Sequence, residues 1–330
     1  AQATGEDVTI KVALWDYSNT AYYKTMIDAF QAKYPNIKVE VVEFTADEYD
    51  NVIVTQLSGK QDFDVVFTKG TPALSALIKQ GHIYSLDEYI KSDDSFDATK
   101  YSGLVDQLTM DGKTYALPFR YDNNLIFYNK DLFEQAGITE TPKTFDELLA
   151  DCKLLQDQEI IPIAMGGDWP ILRYFAQVPF RLTGNEYIEN AVSGEGSFGE
   201  EAGLKGAQFI QDIAQYFQEG WSSADYDTMI DLFASGQAAI MYNGTWALDQ
   251  ADMIGEDENI KDNIGYFTMP TYSDADVTTA TDFFANSGIG TAIRTDAVDD
   301  EMKAWMKYLL EHYADASLSY NQLPSVMPDE

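Results

Sequence analysis

The chain is poor in the residues that most protein chemistry needs. Cys152 is the only cysteine, so no disulfide can form within it. The thiol falls at helical spacing with Leu148, Leu149 and Leu155, which reads as a buried structural position rather than a nucleophile. His82 and His312 are the only histidines; they have no metal-ligand spacing and partner no Ser or Cys motif. Gly194–Gly199 is glycine-rich but lacks the strand–helix context and the Lys-Ser/Thr of a phosphate loop. Asp93, Ser95 and Asp97 have part of the spacing of a calcium loop, but Ala98 stands where that loop requires glycine. No metal or other cofactor is therefore expected. No apolar run approaches the roughly eighteen residues of a membrane-spanning helix. No signal peptide is read, and Ala1–Asp7, small and polar, is expected to be a flexible leader.

What is abundant is acid. The 330 residues carry 55 acidic and 21 basic side chains, a formal charge of −34. Such a surface disfavours nucleic acid and favours a soluble monomer. A hydrophobic fraction of 45% is ordinary for a folded protein, and the length calls for two lobes rather than one core.

Strand and helix alternate along the chain. Val8, Ile10, Val12 and Leu14 alternate as a strand; Tyr23, Ile27, Phe30 and Tyr34 share a helical face; Ile37, Val39 and Val41 mark a second strand. A helix through Tyr49–Leu57, a strand Asp64–Thr68 and a helix near Pro72–Gln80 complete a β-α-β-α-β order, which argues for a largely parallel sheet. Asp111-Gly112 signals a hairpin, Thr144-x-x-Glu147 a capping box, and Gly137 a helix stop. Further on, the pattern predicts strands at 160–165, 237–242, 264–267 and 283–293. Helices are predicted at 200–217, 245–253 and 301–311. Two α/β lobes with a cleft between them are the economical architecture.

Residues 115–138 stand out. Phe-Arg-Tyr-Asp-Asn-Asn opens a strand with hydrogen-bonding groups where a core strand would carry Val or Ile. Arg120 and Arg173 offer planar forks of donors, suited to vicinal hydroxyls or a carboxylate, whereas Arg181 and Arg294 read as structural. Trp15, Trp169, Trp221 and Trp246 fall at loops or element ends, and Trp305 in a late helix reads as core. Aromatic planes suit the apolar C–H face of a sugar ring. Tyr17, Asn19, Glu43, Thr68, Lys69, Asp122 and Asn123 follow strand ends, where open α/β sheets bind ligands; Asn19 and Asn123 are equally explained as helix caps.

Three blocks carry a resemblance: the Trp15 loop with Phe30-x-x-x-Tyr34-Pro35-x-Ile37-x-Val39; Tyr115–Ile138 with Thr141–Leu148; and Phe233-x-x-Gly236-x-Ala-Ala-x-Met241-x-x-Gly244-x-Trp246. The chain resembles the extracellular solute-binding proteins, family 1, the sugar-binding components of ABC importers. The resemblance implies a type II periplasmic-binding-protein fold with the ligand cleft between lobes. It implies lobe 1 at 8–116 plus 267–310 and lobe 2 at 117–266 plus 311–330. It also implies hinge bending near 117–120 and 266–270, and binding without chemistry. The ligand implied is a carbohydrate, an oligosaccharide foremost, handed to membrane permease subunits. Trp246 matches the position that commonly stacks on sugar. A lipidated cysteine upstream of Ala1, on an extracellular or periplasmic protein, is implied as well. Family members usually continue past the segment resembling Tyr320–Met327, so lobe 2 is expected to be incomplete at Glu330. The alternatives are a polyol, an acidic sugar or a phosphorylated glycerol, for which the arginines speak, and a carbohydrate-active hydrolase, whose two carboxylates spacing alone cannot locate.

Overall fold

The computed structural model describes residues 7–18, 20–59, 63–70, 72–92, 104–167, 169–249, 263–286, 289–318 and 323–324. Asn19, the Asp93–Asp97 segment and most of 320–327 lie outside these. The strands in chain order are β1 (Val8–Trp15), β2 (Ile37–Phe44), β3 (Val65–Thr68), β4 (Thr109–Met110), β5 (Lys113–Thr114), β6 (Leu117–Pro118) and β7 (Arg120–Asn129). They continue with β8 (Ile161–Ala164), β9 (Ala238–Gly244), β10 (Ile264–Phe267), β11 (Ala285–Asn286), β12 (Gly290–Ile293) and β13 (Leu323–Pro324). Two compact units divide the chain. The first is Ala1–Asp122 with Leu248–Ala251 and Ala285–Glu330; the second is Asn123–Ala247 with Asp252–Phe284.

The first unit is built on a sheet of order β2-β1-β3-β12-β6. β1 runs parallel to β2 and β3, as the β-α-β-α-β pattern predicts, and β12 enters antiparallel between β3 and β6. The helix Ala21–Lys33 lays Tyr22, Met26 and Phe30 on the sheet, and the helix Asp300–Leu318 adds Met302, Trp305, Met306 and Leu309. Trp305 is 1% exposed and meets Phe30 edge to face at 5.0 Å, a core residue as its helical position predicts. That late helix runs seven residues beyond the expected Glu311 because its apolar strip continues to Tyr313, buried against Tyr22 and Phe119. β4 and β5 form the Asp-Gly hairpin, with Asp111 and Gly112 at φ 52 and 72, the positive values a tight two-residue turn needs.

The unit boundaries depart from the expected ones for three reasons. Leu117–Pro118 is a strand of the first sheet, paired with Gly290–Thr291, so residues 117–120 belong there and the chain leaves only after Asp122. Phe267 and Met269 are in the second unit's core, and the chain returns after Phe284 rather than near 267. Residues 311–318 pack with the first unit through Tyr313, and Leu323–Pro324 pair with Arg120–Tyr121.

The second unit carries the sheet order β10-β7-β9-β8. β7 is antiparallel to both neighbours, while β8 and β9 are parallel. β9 is buried at all seven positions, as its central place demands. The helix after β7 ends on Gly137 at φ 77, with Gly137 N bonding to Glu134 O at 2.9 Å and Ile138 N to Phe133 O at 2.8 Å, the left-handed stop expected. The helix Phe145–Asp157 opens on Thr144, whose hydroxyl accepts from Glu147 N at 3.2 Å; the Glu147 carboxylate reaches one residue further back, to Lys143 N at 2.6 Å. Cys152 on this helix is fully buried, and burial pushes its thiol pKa far up. The expected helix 200–217 breaks after Ile213 into a 3-10 turn, Ala214–Tyr216. Of 245–253, Thr245–Asp249 form a 3-10 turn and the rest lies outside the described residues. In the helix Trp169–Thr183, Pro179 cannot bond to the Phe175 carbonyl, and Gly206 packs there so closely that a Cβ would lie 2.8 Å from that oxygen.

Asp151, on the same helix as Cys152, has its carboxyl pushed from 3.8 to about 6, by burial and then by Glu147 one turn away. A raised folded value means that the native state binds the proton first. The ionised side chain therefore costs stability above about pH 6, and this cost fades as the pH falls towards 4. Asp151→Asn is expected to raise stability by about 1 kcal/mol at pH 7.5, after discounting for solvent screening, with no gain at pH 4. Denaturant unfolding at the two pH values measures it.

Among the described residues no helix is long and apolar enough to cross a membrane, and no cluster of three His, Cys, Asp or Glu could hold a metal ion.

Candidate functional site

Each unit gathers part of the expected residue set. In the second unit, Trp169 opens its helix just after Gly166-Gly167, a loop held close to Ser222 and Ala224; Gly167 N donates to Ala224 O at 2.9 Å, and a Cβ on Gly167 would overlap the Ser222 backbone. Trp246 stands just beyond β9. The two indoles lie 5.9 Å apart at 60°. Arg173, one turn along the helix, places its guanidinium carbon 4.6 Å from the Trp169 ring centre and 4.9 Å from that of Trp246. Tyr226 closes the group, its ring 5.6 Å from Trp169. The Tyr226 hydroxyl accepts from Trp246 Nε1 at 2.9 Å and from Asn243 Nδ2 at 3.1 Å. Gly244 is glycine for a spatial reason: a Cβ there would overlap the six-membered ring of Trp246. The result is a patch of two half-buried indoles on one guanidinium, backed by the buried Tyr226 ring.

Asn123 lies next to this group in the fold. Its backbone N donates to Thr245 Oγ1 at 3.3 Å, and its side-chain oxygen is enclosed without a protein partner. Asn124 pairs with Gly244 across the sheet and donates both N and Nδ2 to Phe284 O, each at 2.9 Å. The segment leading to Phe284 is held by Arg181, which is fully buried. Its Nε donates to Pro270 O at 3.1 Å, NH2 to Met269 O at 2.6 Å, and NH1 to Thr278 Oγ1 at 3.0 Å, Thr279 O at 2.6 Å and Asp282 O at 2.9 Å. Burial lowers the Arg181 pKa, against the pull of Asp276 and Asp282. Arg181 is structural, as read from the sequence. Trp221 does not join the aromatic group by ring contact; its ring meets Phe217 at 5.3 Å and packs on the core.

In the first unit, Arg120 is 7% exposed rather than on the outer surface. Its Nε donates to the Asp122 carboxylate at 3.1 Å and NH1 to the Tyr22 hydroxyl at 3.1 Å. Burial opposes the charge on Arg120, but Asp122 and the phenols of Tyr22, Tyr23 and Tyr313 outweigh it and hold its pKa well above the usual value. Lys69 follows β3 and sets its Nζ 4.4 Å from the Trp15 ring centre. Burial lowers the Lys69 pKa and Arg120 adds to that, while Asp50, Asp122 and Asp16 counter it. Trp15 is buried with its edge on Tyr49, and Tyr17 is half-buried against the same core.

Glu43 and Thr68 make hydrogen bonds within the first unit. Glu43 accepts from Ser18 N at 2.7 Å and Ser18 Oγ at 2.6 Å, tying down the loop after β1. Thr68 is buried and donates to Lys69 O at 3.1 Å. The sequence reading missed Tyr22, Tyr23 and Tyr313 around Arg120, and Tyr226, Asn243 and Gly244 around Trp246. Gly244 was legible in principle: it is fixed two residues before Trp246 in the block already singled out. Tyr226 offers only its place after the helix cap Asp225, whose carboxylate accepts from Thr228 N at 2.9 Å.

The chain belongs to the bacterial extracellular solute-binding protein family, whose model matches residues 16–314. It is 26% identical over 261 residues to an ABC-transporter extracellular-binding protein of Pyrococcus horikoshii, covering 76% of this chain and 59% of that one. It is also 26% identical over 275 residues to a maltotriose-binding protein of Pyrococcus abyssi, covering 79% of this chain and 56% of the relative. The chain thus spans under two thirds of the length of these relatives. Among solved structures, a chitin oligosaccharide binding protein superposes with a TM-score of 0.84 at 23% identity, covering 98% of this chain and 82% of that one. The maltose-bound MalE3 of T. maritima superposes at 0.78 and 21% identity, covering 97% and 82%. The two-lobed α/β fold expected from the sequence is the fold of these proteins.

Proposed function

We propose that the protein binds a neutral oligosaccharide and delivers it to the permease of an ABC importer, without chemical change. One observation carries the reading: the Trp169–Trp246–Tyr226 patch, with oriented indole planes and hydrogen-bonding groups at its edge, in a chain of the solute-binding family. A sugar needs this pairing, an aromatic plane for its C–H face and polar groups for its hydroxyls. We assign the stacking role to Trp169 and Trp246, with Asn123 at the polar edge. We assign a hydrogen-bonding role in the first unit to Lys69, Arg120 and Asp122, beside the Trp15 ring. The relative named a maltotriose-binding protein supports the ligand class.

The charges favour a neutral ligand over an acidic sugar or phosphorylated glycerol. Arg120 is bonded to Asp122, and Asp50, Asp122 and Asp16 act on Lys69 against burial and Arg120, so the positive charges of the first unit are matched by acids. The net charge of −34 adds repulsion at low salt. The protein acts as an extracellular monomer tethered by a lipidated cysteine upstream of Ala1. Calorimetric titration with neutral mono- and oligosaccharides, uronic acids and glycerol phosphate tests the ligand. Binding confined to a neutral oligosaccharide is expected; preference for an anion would overturn the charge argument, and no saccharide binding would overturn the reading itself. New reducing ends after incubation with oligosaccharide would replace binding by hydrolysis.

A further inference from the structure

The helix Trp169–Thr183 carries Trp169, Arg173, Gln177 and Arg181 at steps of four, which keeps them along one strip of its surface. Both ends of the strip are already accounted for. Trp169 and Arg173 meet Trp246, and Arg181 holds the segment 269–282. Gln177 lies between them, 1% exposed, and donates Nε2 to the Tyr242 hydroxyl at 2.6 Å. Its own oxygen is enclosed without a partner, as is the hydroxyl of Tyr174, whose ring stands edge to face on Tyr242 at 5.1 Å. A half-satisfied buried amide is costly, and an apolar pair of similar size would fill the space at less cost. Stability alone does not explain why this pair is polar.

Its place in the fold does. Tyr242 is on β9, two residues before Gly244 and so on the same face, and the Trp246 ring rests over Gly244. The bond from Gln177 is therefore a directional contact between the helix that carries Trp169 and Arg173 and the strand that leads into Trp246. Packing of apolar side chains has little directional preference, whereas the hydrogen bond from Gln177 to the Tyr242 hydroxyl weakens as the helix turns away from it. We propose that the Gln177–Tyr242 bond is a positioning contact that sets the rotation of this helix over β9, and with it the pose of Trp169 and Arg173 against Trp246. The inference rests on the saccharide reading for its functional consequence, and on geometry alone for its structural one.

Two variants test it: Tyr242→Phe, which keeps the ring and removes the acceptor, and the double change Gln177→Leu with Tyr242→Phe, which replaces the polar pair by an apolar one. The ligand-free near-UV circular dichroism of the indoles is expected to change in both. The affinity for the oligosaccharide that the wild type binds is expected to fall about tenfold. The double variant is expected to keep or raise its unfolding midpoint. A lowered midpoint with unchanged indole signal and unchanged affinity would make the pair an ordinary core contact and overturn the proposal. If the double variant fails to fold, Tyr242→Phe carries the comparison. If the wild type binds no saccharide, the functional reading has failed, while the indole signal still decides the positioning role.

Discussion

Gly244→Ala is expected to weaken oligosaccharide binding about as much as Trp246→Ala does, by roughly 100-fold. The two substitutions look unrelated, one adding a methyl in a strand and one deleting the largest side chain, yet they act on the same object. An alanine Cβ would overlap the Trp246 six-membered ring, and an indole is rigid, so the whole ring must leave. Leaving breaks the Nε1 bond to the Tyr226 hydroxyl and withdraws one of the two faces on which Arg173 rests. Buried aromatic anchors of this kind are typically worth about 2–3 kcal/mol of binding. The backbone at Gly244 is ordinary extended strand, so the methyl introduces no backbone strain of its own. Calorimetry on the two variants checks the prediction. A Gly244→Ala protein with wild-type affinity would show that Trp246 does not contact ligand in this pose.

Arg181→Met is expected to destabilise the second unit by about 3–5 kcal/mol, the largest single loss of stability foreseen here. Methionine matches the stem but has no donors. Four backbone carbonyls, of Met269, Pro270, Thr279 and Asp282, would lose a charged partner at once, in a place where the arginine itself has no exposure. Deleting only one partner of a buried network leaves the others unsatisfied, which costs more than the bonds contributed. Tryptophan fluorescence against denaturant should show the second unit unfolding earlier, and Arg181→Lys should recover only a small part of the loss because one ammonium cannot span those acceptors.

The sequence was most readable where local rules and burial agree. The alternation in β1, the cap on Thr144, the Asp111-Gly112 turn and the helical strip through Cys152 to Leu155 each follow from spacing within about a dozen residues. Trp169, Arg173 and Trp246 were singled out for their chemistry, and their meeting depends on a chain path that brings positions 169 and 246 together. What stayed hidden was long-range pairing. Nothing near Arg120 foretells Tyr22, 98 positions earlier, as its partner, nor does Glu43 announce that its carboxylate will be spent on Ser18. The unit boundaries implied by the resemblance, near 117 and 267, fall short of the observed crossings after Asp122 and Phe284. Strand pairing places Pro118 inside the first sheet, and the bonds from Arg181 fix Met269-Pro270 within the second unit.

The interleaved chain path has a consequence for how the protein is made. The first sheet has β1, β2 and β3 early, but β12 lies between β3 and β6 in the finished order and is synthesised only at residues 290–293. The core around Phe30 likewise waits for Trp305. The second unit, by contrast, is nearly one continuous stretch, complete once Phe284 has left the ribosome. During vectorial synthesis the later-encoded unit therefore finishes first, while the amino-terminal strands stay open-edged and in need of protection from aggregation. Ribosome-stalled chains just long enough for Phe284 to have emerged should show protease resistance in 123–284 before any in 8–122; the reverse order would mean that the first three strands hold together without their fourth.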